Sequence, residues 1–410
     1  MDVPIKPSAL HRCKRIQVLT DIWTSFLLVL LVNTSAFAQS PLDNCADQFI
    51  NGNIENAPTL YSSPPDKPYS KNKHLCYRDD GVSFYALEYW PKEYAPRWAA
   101  YRIAPENYGS NRCGTYTRKI AGCYFKEETW QEFLDCSGKS DPFHSDNMLG
   151  DPKLGPDDFS HTGHDRGHIA PRQAMSWHVC GTYQSFTMAN MSPQRAYLNR
   201  HIWANLEEQV LSWGLEGGPI YVVTGATYNK FPYKRFQAYQ DGVLDPIEIY
   251  QSRSKMQGIV EQHHTNFTST NSGDMLHPLL DAKPGEIDDK VKDIRMPTGY
   301  FKVIYRPPSN GEPAHAIAFM MPHSFENLNN AAESYIGYTK KMAFWLFVSR
   351  IDLIEETSRI RFPGIPENMK SVWGMTGFLR TIVSQLRYDR RHVGVETRKE
   401  LLRIQQKMNV

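Results

Sequence analysis

Three short polar segments lie close together in the chain and carry side chains suited to the chemistry of phosphate esters. Residues 165–168 read Asp-Arg-Gly-His, residues 190–194 read Asn-Met-Ser-Pro-Gln, and residues 199–207 begin with Asn and end with Glu. A histidine can accept a proton near neutral pH, and an arginine presents a forked set of donors that matches phosphate. Amide and carboxylate oxygens are the ligands that hard divalent cations prefer. The set therefore indicates hydrolysis of a phosphodiester with the help of a metal ion.

The third segment is expected to lie on a helix. Apolar residues recur at every fourth position from Leu198 to Val210, which is the spacing of one buried helical face. On such a helix Asn199, Trp203 and Glu207 share one side, next to the apolar stripe. An ordinary amphipathic helix has the same spacing, so only the neighbouring segments give this one a chemical meaning.

Phosphodiester hydrolysis needs an activated water, neutralised phosphoryl oxygens and help for the leaving oxygen. His168 is the candidate general base, and Arg166 beside it is the candidate donor to phosphate. Mg²⁺ keeps several waters and is often held by only one or two protein groups together with substrate phosphate. Asn199 therefore suffices as its protein ligand, and Mn²⁺ is expected to substitute for Mg²⁺.

Together the segments form the pattern DRGH-x-A-P, N-x-x-P-Q and N-x-x-x-W-x-x-L-E. This pattern resembles the DNA/RNA non-specific endonucleases, a family that includes endonuclease G, and the resemblance covers about residues 80–365. It implies that His168 is the general base, that Arg166 contacts phosphate, and that Asn199 binds Mg²⁺. It also implies that Glu207 holds a water of the metal's hydration shell.

The resemblance implies supporting roles for further residues. Asn190 and Gln194 would shape the site, the segment at Asn190 would orient the His168 ring, and Asp165 and Trp203 would give structural support. Members of the family usually have another phosphate-binding arginine upstream, a role that two residues could fill: Arg112 and Arg118. The implied products carry 5′-phosphates, the implied substrates are DNA and RNA with little sequence preference, and a homodimer is implied by analogy.

The implied fold is of the α+β class: a mixed α/β nuclease domain with a central antiparallel sheet and a ββα-metal motif. Strand-like runs rich in β-branched and aromatic residues are predicted at six places, namely 82–89, 97–103, 184–189, 219–225, 300–305 and 315–321. Residues 190–194 are turn-like, and the helix that starts at Tyr197 should stop at Gly214 or at residues 217–218. Residues 344–348 are predicted to be a strand and residues 351–357 to start a helix.

The N-terminal region has the character of a signal peptide. A basic stretch, an apolar run and a small-x-small pattern ending at Ala38 predict cleavage there and secretion without a membrane anchor. Residues 39–75 are expected to be an extended segment, 76–370 the nuclease domain and 371–410 a basic tail. Residues 251–295 are expected to be an insertion.

Six cysteines follow the proposed cleavage site, an even number that suits an oxidising compartment. They allow 15 pairings, and sequence does not choose among them. The full chain carries a net charge of +2, of which residues 1–38 account for +2, so the mature protein is about neutral. Nucleic-acid binding would then need locally concentrated positive charge.

Two other functions compete with the nuclease. One is a zinc hydrolase, because His161, His164 and His168 form an H-x-x-H-x-x-x-H cluster; its loop setting lacks the spacing of a helical zinc site. The other is a catalytically inactive nuclease fold that only binds nucleic acid. That alternative predicts damage to the catalytic set, whereas His168 and Asn199 are both present.

Overall fold

The structure, a computed structural model, describes a subset of the chain that carries the sheet and the three motif segments. The described residues are 40–61, 72–108, 142–150, 154–160, 162–196, 198–229, 294–309, 311–323, 344 and 347–371. The predicted signal peptide, Arg112, Arg118, nearly all of the 251–295 insertion and all but the first residue of the basic tail lie outside them. Within the described residues, no helix is long and apolar enough to cross a membrane.

A seven-stranded antiparallel sheet forms the centre of the fold, as expected for the α+β class. Its order is β10-β9-β8-β7-β4-β3-β2, and two short pairs, β1-β11 and β5-β6, lie outside it. The strand bounds are β1 Thr59–Leu60, β2 Lys73–Asp79, β3 Val82–Trp90, β4 Ala95–Ile103, β5 His164–His168, β6 Met191–Arg195, β7 Ile220–Thr227, β8 Gly299–Arg306, β9 His315–Pro322, β10 Val348–Ser349 and β11 Ile360–Arg361.

Helices in the described residues pack around this sheet. The α-helices are α1 Arg172–Met175, α2 Val179–Ser185, α3 Ala204–Gly217, α4 Ile351–Ser358 and α5 Glu367–Lys370, and a π-helical turn, Leu198–Trp203, leads into α3. Short 3₁₀ turns cover Pro41–Gln48, Ile50–Gly52, Ile54–Asn56, Pro91–Glu93, Pro105–Tyr108, Pro156–Phe159 and Met188–Asn190. The antiparallel pair β5-β6, whose connection contains α1 and α2, is followed by α3 and gives the expected ββα arrangement.

Aromatic side chains fill the core between α3 and the sheet. Trp203, Trp213, Tyr101, Tyr300 and Phe319 are each less than 2% exposed. Full burial of one such ring contributes about 1.5–3 kcal/mol. This packing ties the helix of the ββα unit to strands β4 and β8 and fixes where the first turns of the helix lie.

The segment expected to be extended is more ordered than its composition indicated. Residues 41–56 form three 3₁₀ turns, and Leu42, Phe49 and Ile50 are buried in the core. A disulfide joins Cys45 to Cys76 and so ties this segment to β2. For residues 41–56 the expectation of an extended conformation was wrong, because their apolar side chains are buried in the core.

Two predictions for residues next to the motif were wrong: the predicted strand is helical, and the predicted turn is a strand. Residues 184–189 are not a strand: they hold the end of α2 and the start of a 3₁₀ turn, and Phe186 N and Thr187 N donate to the carbonyls of Tyr183 and Gln184. Residues 191–195 are not a turn but strand β6, which pairs with β5. A proline is tolerated in such a two-stranded ribbon because an edge position does not need every N–H.

Two other boundaries differ from expectation in smaller ways. α3 runs through Gly214 and ends at Gly217, and Gly218 leaves the helix with a φ of 92°. A side chain at Gly214 would place its Cβ 2.4 Å from Ile103 Cγ2, so this glycine allows close packing of α3 on β4 rather than ending the helix. Of the strand predicted at 344–348, the described residues show β10, Val348–Ser349, while residues 345 and 346 lie outside them.

Candidate active site

Strand β5 and the π-helical turn that leads into α3 border one open cleft of about 360 Å³. Four residues predicted from the sequence line it: Asp165, Arg166, His168 and Asn199. His164 and Phe143 line the same cleft. The residues of the first and third motif segments therefore meet in space although more than thirty positions separate Asp165 from Asn199.

Gly167 and Gln194 determine how closely β5 and β6 pack. Gln194 is fully buried, and its side chain lies over Gly167, where an added Cβ would come within 2.3 Å of Gln194 Oε1. The amide nitrogen and oxygen of Gln194 are buried, and neither has a hydrogen-bond partner in the described part of the chain. Gln194 thus packs behind the strand that carries Arg166 and His168, and it does not line the cleft.

Asn190 anchors the chain immediately after His168. Its Oδ1 accepts a hydrogen bond from Ala170 N at 2.8 Å, and its Nδ2 donates to Ala170 O and Ser185 O at 2.9 and 2.8 Å. Its backbone oxygen accepts from Ile169 N at 3.0 Å. Asn190 is fully buried and acts on the backbone next to His168 rather than on the His168 ring.

The His168 imidazole lies between aromatic rings at the inner side of the cleft. The ring centroids of Phe186 and Phe143 are 5.1 and 5.8 Å from its own. Nε2 is buried, and no group within the described ranges forms a hydrogen bond to it. Burial, helped by the positive charges of Arg172 and Arg166, lowers the pKa of His168 to about 3. The ring is therefore neutral at neutral pH and able to accept a proton.

Asp165 holds Asn199 in a defined orientation. Asn199 Nδ2 donates to Asp165 Oδ2 at 2.9 Å, and Arg200 donates to both oxygens of Asp165 at 2.8 and 2.6 Å. An ionised carboxylate only accepts hydrogen bonds, so the amide must present its NH₂ group to Asp165. The carbonyl oxygen of Asn199 is then directed elsewhere, and it accepts no hydrogen bond from the residues that the structure describes.

Arg166 stacks on an aromatic ring at the cleft wall. Its Cζ lies 4.0 Å from the centroid of the Phe143 ring, which is cation–π distance. Arg166 and His168 are two positions apart on β5 and so point to the same face of the strand. A phosphate group that reached His168 would therefore also lie next to the Arg166 guanidinium.

Trp203 and Glu207 lie on the side of the helical segment that faces the sheet, and neither lines the cleft. Trp203 is 1% exposed, and the Lys302 ammonium of β8 lies 4.7 Å from its ring centroid. Glu207 Oε1 is buried without a hydrogen-bond partner among the described residues. Burial raises the pKa of Glu207, while the Lys302 ammonium and the Trp203 indole act in the opposite direction.

Lys302 is a fully buried cation opposite Glu207. Its Nζ donates to the hydroxyls of Tyr101 and Thr224 at 3.3 Å each, and none of the ion pairs among the described residues joins it to Glu207. Burial lowers the pKa of Lys302, and the Glu207 carboxylate opposes that change. The sequence did contain a signal for this residue, because a lysine within the apolar run of residues 300–304 must either be buried or interrupt the strand.

The zinc alternative gains no support from the described residues. His161 lies outside them, and His164 Nδ1 is 2.9 Å from the carbonyl oxygen of Thr162. One group there does place three ligand atoms within 4.8 Å of one another: Asp79, His178 and Cys180. Cys180 is disulfide-bonded and so offers no thiolate.

Comparison with known proteins supports the same relationship. The DNA/RNA non-specific endonuclease family matches residues 73–343 of this chain. A nuclease from Nostoc sp. is 34% identical over 101 residues, which are 23% of this chain and 37% of the relative. Nuclease C1 of Cunninghamella echinulata var. echinulata is 39% identical over 152 residues, which are 35% of this chain and 58% of the relative.

A more distant similarity is to human mitochondrial endonuclease G, which is 32% identical over 71 residues, or 17% of this chain and 24% of the relative. The chain thus spans less than two thirds of the length of each of these three relatives. The family match, in contrast, covers well over half of the chain and contains all three motif segments. The chain therefore belongs to the DNA/RNA non-specific endonuclease family.

Proposed function

We propose that this protein is a secreted, metal-dependent endonuclease that cleaves DNA and RNA with little sequence preference. One observation carries the proposal: the His168 imidazole, the Arg166 guanidinium and the Asn199 amide border the same cleft, with Asn199 Nδ2 held by Asp165. These are the groups that activate water, bind phosphate and hold a hard cation. The nuclease relatives from Nostoc and Cunninghamella support the substrate class.

The donor set fits Mg²⁺, with Mn²⁺ as a substitute. Asn199 would hold the ion through Oδ1, because its Nδ2 is committed to Asp165. The Asp165 carboxylate is neutralised by Arg200, so it serves to orient the amide rather than to compete for the ion. When bound, Mg²⁺ supplies a Lewis acid that stabilises charge on the phosphoryl and leaving oxygens.

His168 is the proposed general base. A buried neutral imidazole can take a proton from water, although a pKa of about 3 makes it a weak base before substrate binds. The negative charge of a phosphate in the cleft would favour the protonated imidazolium and so raise the pKa of His168 toward the range in which a general base is effective. Cleavage with the 3′ oxygen as the leaving group would give 5′-phosphate products.

Arg166 is the proposed phosphate contact, and Asn190 and Gln194 are the proposed supports of the β5-β6 pair. Asn190 fixes the backbone that follows His168, and Gln194 fixes the separation of β5 and β6. Glu207 does not line the cleft, so no direct substrate contact is assigned to it. Its proposed part is to stabilise, with Lys302 and Trp203, the helix that carries Asn199.

Export is part of the proposal. The sequence up to Ala38 supports a cleaved signal peptide, and the Cys45–Cys76 disulfide suits an oxidising compartment. Mass spectrometry of the secreted protein should find an N-terminus at Gln39 and an intact disulfide. A homodimer, suggested by family analogy, should be visible as twice the monomer mass in light scattering.

The decisive experiment is digestion of supercoiled plasmid and of RNA by the mature protein, with Mg²⁺ and with EDTA. His168→Ala should lower the rate by about 10²–10⁴-fold, the usual contribution of a positioned general base. Asn199→Ala should fold normally and lose most of its response to Mg²⁺. His74→Ala, on the edge strand β2 and outside the cleft lining, is the matched control and should retain wild-type activity.

Opposite results would separate the alternatives. Near-wild-type cutting by His168→Ala would remove this residue from the role of base, and an unchanged Mg²⁺ response in Asn199→Ala would refute the ligand assignment. Oligonucleotide binding without cutting by folded wild-type protein, under any divalent metal, would favour the binding-only alternative.

A further inference from the structure

Phe143 lies where the cleft wall meets the two residues proposed to act on phosphate. Its ring centroid is 4.0 Å from Arg166 Cζ and 5.8 Å from the centroid of His168. Phe186 packs edge-on against it at 5.1 Å and also contacts His168. Phe143 is half-buried and borders the cleft, so one ring contacts Arg166 and His168 at the same time.

The backbone on the C-terminal side of Phe143 is held firmly. His144 N donates to Phe186 O at 3.3 Å, and Met188 N donates to His144 O at 2.8 Å. Two residues later, the buried Asp146 carboxylate accepts hydrogen bonds from Tyr77 and Thr187. The ring of Phe143 is therefore presented from a fixed segment, and little conformational freedom remains to be lost when substrate binds.

We propose that Phe143 is a positioning residue that fixes the plane of the Arg166 guanidinium for phosphate binding. The donors of a guanidinium lie in its own plane, so a ring that contacts one face leaves the N–H edges directed outward. The inference rests on the proposed function of Arg166.

Replacement of the ring by an aliphatic side chain of similar size tests this role. Cation–π attraction at partly buried sites corresponds to about 3- to 30-fold in an equilibrium or rate constant. Phe143→Leu should therefore lower kcat/KM on a short duplex by about that factor, with an unchanged pH profile. Phe143→Tyr, which keeps the ring, should restore activity to within about 2-fold. Phe143→Met is the second aliphatic variant should Phe143→Leu fold poorly.

A double-mutant cycle separates positioning from simple packing. In an Arg166→Ala background, Phe143→Leu should cause little further loss, because the group that it positions is gone. Phe84→Leu is the matched control: Phe84 packs on Trp177 and His178 and does not line the cleft, so any loss that it causes should add fully to that of Arg166→Ala. Full additivity of Phe143→Leu with Arg166→Ala, or wild-type activity of Phe143→Leu, would overturn the proposal.

The same cycle can be run without turnover. Oligonucleotide affinity measured in EDTA should show the same coupling between Phe143 and Arg166. Failure of wild-type protein to cut would refute the proposed function, and the binding cycle would still decide whether Phe143 positions Arg166. Absence of coupling in an enzyme that does cut would refute only the role of Phe143.

Discussion

A side chain at Gly167 should lower both stability and activity, although the backbone conformation of Gly167 would allow one. An alanine Cβ there would lie 2.3 Å from Oε1, 2.6 Å from Cβ and 2.8 Å from Cδ of Gln194. The far end of Gln194 could turn aside, but its Cβ can move only with the backbone of β6. Restoring an ordinary contact of 3.4 Å from 2.6 Å requires the two strands to separate by about 0.8 Å.

That displacement sets the expected size of the effect. Overpacking in a buried site costs about 1–3 kcal/mol in the free energy of unfolding. His168 is the next residue on β5, so the strand shift would also move the proposed base by a sizeable fraction of an ångström. A misplacement of roughly 1 Å can cost about 10²-fold in rate. Gly167→Ala should therefore remain folded, unfold at lower urea concentration and lose about 10²-fold in kcat.

The assay is plasmid cleavage at saturating Mg²⁺ together with urea unfolding followed by circular dichroism. Gly155→Ala is the matched control, because its Cβ would meet Asp158 and Ser145 at 3.8 Å, an ordinary contact. Gln194→Gly in the Gly167→Ala background should recover more activity than Gln194→Ala, which leaves the closest immovable atom in place. Wild-type kcat in Gly167→Ala, or no recovery with Gln194→Gly, would refute the steric argument.

Three further predictions concern stability. Lys302→Met should lower the free energy of unfolding by about 1–3 kcal/mol, because the Tyr101 and Thr224 hydroxyls lose a donor and Glu207 loses a favourable charge, and adding Glu207→Gln should recover part of the loss in urea titrations. Burial, with the charges of His164 and Arg195, lowers the pKa of His323 to about 3, so the unfolded chain binds the extra proton. Stability should be complete above about pH 6.5 and fall toward pH 3, and His323→Gln should flatten that fall in a urea midpoint series. Replacing both Cys45 and Cys76 with alanine should cost about 3–4 kcal/mol, since the bridge closes a loop of 31 residues in the unfolded chain; an unchanged thermal midpoint would contradict this.

The sequence alone was sufficient for the long strands and for the family. Strands β3, β4, β7, β8 and β9 are runs of β-branched and aromatic residues, and their hydrophobic pattern is local information that tertiary contacts reinforced. The residue types in segments 165–168 and 199–207 predicted an acid–base and metal-binding site without knowledge of the fold. Both segments do border one cleft.

Tertiary structure decided what depends on partners that are distant in the chain. Asn190, Ser192 and Pro193 locally favour a turn. Residues 191–195 nevertheless form a strand because β5 lies beside them. Three properties depend on what covers each group: the burial of Glu207 Oε1, the burial of Lys302 and the lowered pKa of His168. No spacing along the chain encodes them. Phe143 is an ordinary apolar residue in the sequence, and only the packing of its segment against β5 places its ring under Arg166. Residue types are a property of the chain, whereas solvent exclusion and contact between remote side chains are properties of the folded state.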